Sequence, residues 1–259
     1  MAAVVETPWL YRTGKRILQV TMRLPYRPGI EGAQNIPATG PVILASNHLS
    51  GADIVFLATR IDRTVHFLGK SDLFSGRSLG GRITRWFMTA VGVMPIERTG
   101  GTASNAALEA GAEVLRQGMV LGIYPEGTRS PDGRLYRGRT GMARLALLTG
   151  APIVPVGMVG TFEAMRGRRF LPRRAPRIRA VVGEPILASE LVGPGAADRL
   201  DAAAVRRVTD TVMARIQDLS GQAYVRAYAS EARKDLAEGR PAPESAPGGP
   251  LDEGGSPER

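Results

Sequence analysis

The sequence predicts an α/β fold: a single domain with a central, mostly buried β-sheet flanked by helices. Three observations predict it. Short apolar runs of strand length recur along the chain. Stretches with helical periodicity lie between several of them, and such alternation is typical of a sandwich built around a buried sheet. A chain of 259 residues is also long enough for one sizeable core.

The chain opens with a predicted amphipathic helix, in the segment PWLYRTGKRILQVTMRLPYR. Its apolar stripe and the basic positions around it are Trp9, Ile17, Val20 and Leu24, and Arg12, Lys15, Arg16 and Arg23. Pro25 and Pro28 are expected to end the helix. Residues 1–28 are therefore predicted to associate with a membrane, with Leu10 also facing the interface; the alternative is that this stripe packs on the protein's own core.

Six apolar runs are predicted to be strands: PVILAS (41–46), TVHFLGK (64–70), VGVMPIE (91–97), MVLGIYPE (119–126), PIVPVGMV (152–159) and IRAVVGEPI (178–186). The clearest helices between them are expected at 103–117, closed by Gly118, and at about 139–149, closed by Gly150. After residue 195 a long C-terminal helix is predicted from one apolar stripe, Val205, Val208, Val212, Ile216 and Leu219.

The end of the chain differs in composition from the rest. Residues 237–259 are rich in Pro and Gly, carry five acids and two arginines, and are predicted to be disordered. Their net charge is −3, whereas the whole chain carries +10. Residues 1–236 therefore carry +13. A surface this basic favours polyanions, meaning nucleic acid, anionic lipid or phosphorylated ligands. Residues 29–236 are expected to form the folded domain.

The composition excludes cysteine chemistry and argues against a membrane-spanning helix. The chain has no cysteine, which removes disulfides, thiolate metal sites and a cysteine nucleophile. No apolar stretch approaches the roughly 20 residues that a membrane-spanning helix needs. We therefore expect a soluble or peripheral protein, and an intracellular location is compatible with the sequence.

The stretch SNHLSGADIVF contains a candidate catalytic pair, His48 and Asp53. PVILAS reads as a strand, and SGAD fits a capping box with Ser50 as N-cap and Asp53 at the third helical position. The chain then bends between the two residues, so the imidazole can meet a carboxylate that the helix N-terminus keeps ionised. A histidine held in this way is oriented as a general base. Alternatively, Asp53 only caps the helix and His48 is an incidental loop residue.

Arginines follow two other predicted strands. Arg129 lies in YPEGTRS, after VLGI, and Arg98 ends GVMPIER. In α/β folds ligands bind where strands end, and the planar guanidinium suits phosphate. The alternative for either arginine is a solvated surface position.

These stretches together resemble the glycerolipid acyltransferases typified by 1-acyl-glycerol-3-phosphate acyltransferase, the PlsC-like family. NHLSGAD is similar to its NHxxxxD block, GVMPIER to the second block, YPEGTRS to the third and APIVPVG to the fourth, in the same order across about residues 40–160. Tyr124 departs from the usual phenylalanine, and the arginines of YRGRTG stand where lysine is common. Many relatives also have transmembrane helices, which this sequence lacks.

The resemblance implies transfer of a fatty acyl group from acyl-CoA or acyl carrier protein to a glycerol hydroxyl, with no metal and no further cofactor. His48 is then the base that Asp53 orients, and no covalent intermediate is required, since the Ser50 oxygen is expected to cap the helix. Lys70 is a candidate for stabilising the oxyanion, or else a surface lysine. The implied substrate-binding residues are Gly92, Arg98, Glu126, Gly127, Thr128 and Arg129.

The expected product is phosphatidic acid from lysophosphatidic acid, made at the cytoplasmic face of the cell membrane. Glycerol 3-phosphate, another lysophospholipid or a glycolipid are alternative acceptors. The seven arginines of residues 166–179 are expected to face anionic lipid, with coenzyme A phosphates or solubility as alternatives. A non-catalytic binder of membrane or nucleic acid is disfavoured by the His48–Asp53 pair, and no nucleic-acid motif is present. His66 is predicted to be structural.

Overall fold

The computed structural model describes residues 8–26, 28–71, 74–76, 78–96, 103–165, 177–193 and 200–251. Its helices are α1 (Pro8–Tyr26), α2 (Ala52–Arg60), α3 (Leu79–Ala90), α4 (Ala103–Arg116), α5 (Gly141–Thr149), α6 (Thr161–Ala164), α7 (Ala202–Ser220) and α8 (Ala229–Ala237). Its strands are β1 (Gly29–Glu31), β2 (Val42–Ser46), β3 (Val65–Lys70), β4 (Val93–Ile96), β5 (Val120–Ile123), β6 (Leu135–Tyr136), β7 (Ile153–Val159), β8 (Arg179–Val182) and β9 (Tyr224–Val225).

Seven of the described strands form one sheet in the order β1-β8-β7-β2-β5-β3-β4. The five strands from β7 to β4 run parallel, whereas β8 is antiparallel to β7 and carries β1 parallel beside it. In the centre, Ala45 pairs with Ile123 and Ser46 with Val156. The ends of β2 and β5, and of β2 and β7, therefore meet at one edge of the sheet. The predicted α/β class is confirmed.

Helices cover both faces of this sheet, which explains why its strands are apolar without alternation. Along β2, Ile43 and Ala45 face the core formed with α4, α5 and α7. Val42 and Leu44 face the second core, formed with α2, α3 and α6. All six predicted strands occur, each shorter than predicted by one to five residues in total, and both predicted central helices and the long C-terminal helix are confirmed.

The N-terminal helix α1 packs beside α2 and α3 through a face that the predicted stripe does not include. Tyr11 is buried, and its hydroxyl donates to the Ala58 carbonyl at 3.4 Å. In contrast, Ile17 and Val20 are 51% and 72% exposed. The helix also passes Pro25 and ends at Tyr26, one residue beyond the first expected stop.

Two C-terminal features differ from the sequence-based expectations. Strand β9 pairs with β6, and α8 follows it, packing Ala229 and Ala232 against Tyr136. Part of the segment predicted to be disordered is hydrogen-bonded to the body: the Ala246 amide donates to the Tyr224 carbonyl at 2.8 Å, and Arg134 Nη1 donates to the Pro243 carbonyl at 2.7 Å. Residues 252–259 lie outside the described part of the chain.

Candidate active site

The candidate site lies at the carboxyl edge of the parallel strands. His48 follows β2, and the loop from Tyr124 to Ser130 follows the neighbouring β5. Two hydrogen bonds join the segments: the Ser130 amide donates to the His48 carbonyl at 2.7 Å, and the His48 amide donates to Glu126 Oε1 at 2.9 Å. The first and third motifs are therefore one structural unit, at the edge where α/β folds bind ligands.

The turn before α2 positions Asp53. The helix begins at Ala52, with Gly51 rather than the predicted Ser50 as N-cap. Half of the expected capping box is nevertheless present, because Asp53 Oδ2 accepts from the Ser50 amide at 2.8 Å, and also from the Leu49 amide at 2.7 Å. Ser50 Oγ accepts from the Ala52 amide at 3.2 Å. These bonds fix the fully buried carboxylate of Asp53. The Ser50 hydroxyl oxygen is hydrogen-bonded to the first residue of the helix.

His48 and Asp53 form the predicted pair. Nδ1 of His48 lies 2.9 Å from Asp53 Oδ2. A carboxylate at this distance favours the tautomer with its proton on Nδ1, and in that neutral tautomer Nε2 carries the lone pair. The histidine side chain is 14% exposed, whereas Asp53 is fully buried. Such an arrangement can orient a histidine as a general base, and catalysis by His48 and Asp53 remains a prediction.

Tyr124 supports one face of the imidazole. Its ring stacks on His48 with centroids 3.9 Å apart and planes 14° from parallel, and Phe67 stacks behind it at 5.9 Å. Gly122 makes room for this layer, because a Cβ there would lie 2.3 Å from the Phe67 ring. The Tyr124 hydroxyl is buried without a hydrogen-bond partner in the described structure. Burial, with Asp53 nearby, raises the pKa of this hydroxyl.

Glu126 has a structural role instead of the predicted substrate contact. It is 1% exposed, and its second oxygen, Oε2, accepts from the Tyr136 amide at 3.0 Å. Both carboxylate oxygens therefore bind backbone amides, one of them that of His48. Burial raises the pKa of Glu126 to about 8, and the two amide donors oppose this rise. The prediction that Glu126 binds substrate is wrong on this geometry, because its carboxylate ties the His48 loop to β6.

Asn47, which precedes the histidine, anchors the same loop to β7. Its Oδ1 accepts from the Met158 amide at 2.7 Å and its Nδ2 donates to the Met158 carbonyl at 2.9 Å. Nδ2 also donates to Gln222 Oε1 at 2.6 Å, after α7. In the sequence Asn47 is only one residue of the NHLSGAD motif, and its contacts with Met158 are not predicted. No pattern in the sequence links Gln222 to the site.

Gly92 does not lie at the site. It precedes β4, at the amino edge of the sheet opposite His48, with a φ of 80°. A Cβ at this position would lie 2.2 Å from the Val65 carbonyl oxygen, at the start of β3. The prediction that Gly92 binds substrate is wrong: only glycine fits this buried turn, so its role is structural.

The remaining predicted residues differ in what the structure describes. Gly127, at a φ of 74°, turns the loop, Thr128 is half-buried, and Arg129 is exposed directly before Ser130. Lys70 ends β3 at the same edge as His48, but its side chain lies outside the described structure, as does Arg98 entirely. Substrate binding by Thr128, Arg129, Gly127 and Arg98 and catalysis by Lys70 remain predictions. His66 is buried in β3, as expected.

Several known proteins are similar to this chain. The acyltransferase family model matches residues 27–159. The chain is 30% identical over 64% of its length to a chloroplastic 1-acyl-sn-glycerol-3-phosphate acyltransferase of Brassica napus, and 24% identical over 82% to the 1-acyl-sn-glycerol-3-phosphate acyltransferase of Bacillus subtilis. It spans 46% of the plant protein and 98% of the bacterial one.

A solved structure shares the fold. The crystal structure of the 1-acyl-sn-glycerophosphate acyltransferase PlsC from Thermotoga maritima matches with a TM-score of 0.56 and 24% identity, covering 77% of each chain. The family match contains both His48 and Asp53 and the loop from Tyr124 to Ser130 that holds them. From these findings, the chain belongs to the acyltransferase family.

Proposed function

We propose that this protein transfers a fatty acyl group from acyl-CoA or acyl carrier protein to the free hydroxyl of lysophosphatidic acid, giving phosphatidic acid for phospholipid biosynthesis. The observation that carries the proposal is the hydrogen bond of 2.9 Å between His48 Nδ1 and Asp53 Oδ2, which leaves Nε2 free at the strand edge. The names of the matched relatives support this acceptor.

In the proposed reaction, His48 Nε2 takes the proton of the acceptor hydroxyl while its oxygen attacks the thioester carbonyl carbon. The new C–O bond gives a tetrahedral intermediate, whose collapse breaks the C–S bond. The departing thiolate then takes the proton from His48 and leaves as a thiol. Asp53 stabilises the imidazolium that exists between the two transfers, because their charges are opposite and the carboxylate is already fixed by two backbone amides.

Direct transfer suits the groups around the histidine. The chain has no cysteine, and Ser50 Oγ is occupied by the Ala52 amide, so the site offers His48 a substrate hydroxyl rather than an enzyme nucleophile. We propose that Lys70, which ends β3 at the same sheet edge with β5 between it and β2, stabilises the oxyanion. The acceptor phosphate is proposed to bind Arg129 and Arg98.

We also propose that the protein works at the cytoplasmic face of the membrane as a peripheral protein, because its lipid substrates reside in a bilayer. No helix in the described ranges is long and apolar enough to cross one. The exposed side chains of α3 support peripheral binding: Leu79, Ile83 and Trp86 are 75%, 58% and 48% exposed along one stripe. Arg82 and Arg85 lie beside these apolar side chains on the same helix surface, where their charges suit anionic head groups.

The experiment that tests the activity is product identification. The purified protein is incubated with acyl-CoA or acyl carrier protein and a panel of acceptors: lysophosphatidic acid, glycerol 3-phosphate, another lysophospholipid and a glycolipid. Mass spectrometry should show phosphatidic acid as the fastest product. Faster acylation of another acceptor contradicts the proposed substrate, and no acyl ester with any pair contradicts the activity.

A further inference from the structure

Three arginines from separate segments surround the surface turn at Gly127. Arg129 belongs to that turn. Arg139 follows β6 and packs so closely that a Cβ on Gly127 would lie 3.1 Å from its Cδ. Arg233 reaches the turn from α8, where its Nη2 donates to the Arg129 carbonyl at 2.6 Å. The C-terminal helix thus adds a cation to a loop that precedes it by 104 residues.

This arginine cluster (Arg129, Arg139 and Arg233) has no anionic partner in the described part of the chain, although other arginines there pair with carboxylates, such as Arg134 with Asp132 at 2.7 Å. The neighbouring carboxylate of Glu126 is buried and bound to two amides. Burial and then the proximity of Arg129 lower the pKa of Arg233. Like charges gathered without a counter-ion favour binding of an anion from solution.

Within the cluster, Arg139 is held in place before any ligand binds. The Arg139 guanidinium lies 4.8 Å from the centroid of the Tyr228 ring, and its Nη2 donates to Ser230 Oγ at 3.0 Å. Its backbone amide donates to the Pro125 carbonyl at 2.7 Å. Because these contacts fix the side chain, little conformational entropy remains to be lost when an anion binds.

We infer that Arg139 and Arg233 act with Arg129 as the recognition site for the phosphate monoester of the acceptor. The inference rests on the proposed function for the identity of the ligand, and its own ground is the cluster's place beside the catalytic loop. Arg129 precedes Ser130, whose amide binds the His48 carbonyl at 2.7 Å. A phosphate held by the cluster would therefore lie on the loop whose backbone is hydrogen-bonded to His48. Guanidinium groups bind phosphate oxygens in pairs, which selects a phosphorylated acceptor over a neutral one.

The test compares Arg233→Gln and Arg139→Gln with Lys234→Gln, a control that removes one exposed charge from the same helix. We expect the KM for lysophosphatidic acid to rise roughly tenfold or more in each arginine variant, since each loses charge-assisted hydrogen bonds. The KM for the acyl donor, and the rate with monoacylglycerol, which has no phosphate, should stay unchanged. Arg233→Lys should keep part of the affinity, because it retains the charge.

A binding measurement separates this inference from the proposed activity. Calorimetric titration with glycerol 3-phosphate, and with glycerol as its uncharged control, should show phosphate-dependent binding that Arg233→Gln weakens and Lys234→Gln does not. That result supports the cluster even if no phosphatidic acid is formed. Active protein whose Arg233→Gln variant keeps both its acceptor KM and its glycerol 3-phosphate affinity overturns the inference. A second result also overturns the inference: Arg233→Gln binds acyl-CoA more weakly than the wild type does, but the two proteins bind acyl-dephospho-CoA equally well. The cluster would then bind the 3′-phosphate of coenzyme A.

Discussion

Tyr124 lies flat against the imidazole of His48, with ring centroids 3.9 Å apart. Its hydroxyl has no partner in the described structure, so the ring and not the hydroxyl does the positioning. We expect Tyr124→Phe to keep full turnover and to raise the free energy of unfolding by up to about 1–3 kcal/mol, because a buried unpaired donor is removed. Tyr124→Ala should lower kcat, because the imidazole loses its stacking surface. Steady-state kinetics and urea unfolding of both variants check this. A large loss of kcat in Tyr124→Phe would show instead that the hydroxyl contacts substrate.

The buried carboxyl of Glu126 predicts a pH dependence of stability. Its pKa is about 8 in the folded protein against an ordinary 4.5, so between these values the folded state holds a proton that the unfolded state has released. Its contribution to the free energy of unfolding should therefore fall as pH rises from about 4.5 to about 8, and be constant outside that range.

Urea unfolding of the wild type and of Glu126→Gln at pH 5 and pH 8 measures this contribution. The stability advantage of the wild type over the variant should be smaller at pH 8. Glu109→Gln, on the surface of α4, reports what the loss of an exposed glutamate does. An advantage that grows with pH would show that Glu126 is ionised throughout and stabilised by its amide donors.

The exposed stripe of α3 predicts where the protein meets a bilayer. Ile83→Gln with Trp86→Gln should reduce co-sedimentation with anionic vesicles, because apolar area is lost from the interface. Arg82→Gln with Arg85→Gln should also reduce co-sedimentation, since each basic side chain contributes about 1 kcal/mol near an anionic surface. The difference from the wild type should be larger at low salt, because salt screens this attraction.

Leu148→Gln is the matched control for this prediction, because Leu148 is 58% exposed on α5, across the sheet from α3. It should bind vesicles as the wild type does. Replacing the exposed Ile17 and Val20 with Gln, or neutralising Arg168, Arg169, Arg173 and Arg174, should also weaken binding. Association that ignores lipid charge, salt and the α3 substitutions would contradict membrane recognition by this face.

The sequence predicted those parts of the structure that depend on neighbours along the chain. VILAS reads as a buried strand because every residue is apolar or small, and both sheet faces are indeed covered. His48 and Asp53 were placed together from the local geometry of a helix start, which the bonds to the Ser50 and Leu49 amides reproduce. Such features need only the dihedral angles of a few residues and the burial of one strand.

The errors arose where a role depends on distant partners. Glu126 stands among polar motif residues, but its two carboxyl oxygens accept hydrogen bonds from the amides of His48 and Tyr136. The sequence does not place these amides beside it. The motif around Gly92 implies substrate binding, yet the carbonyl of Val65 from another strand decides its role. Arg233 carried no signal at all, since it reaches Arg129 only once α8 has packed on Tyr136.

The measurement that tests the central claim most directly is the rate of phosphatidic acid formation by His48→Ala and Asp53→Asn. The variants are compared with the wild type at matched substrate saturation, with circular dichroism and thermal unfolding confirming that each is folded. If His48 Nε2 is the base and Asp53 orients it, His48→Ala should lose ~10²–10⁴-fold in kcat, and Asp53→Asn should also lose turnover, because an amide cannot stabilise the imidazolium as a carboxylate does. Near-normal turnover by folded His48→Ala protein would contradict the account.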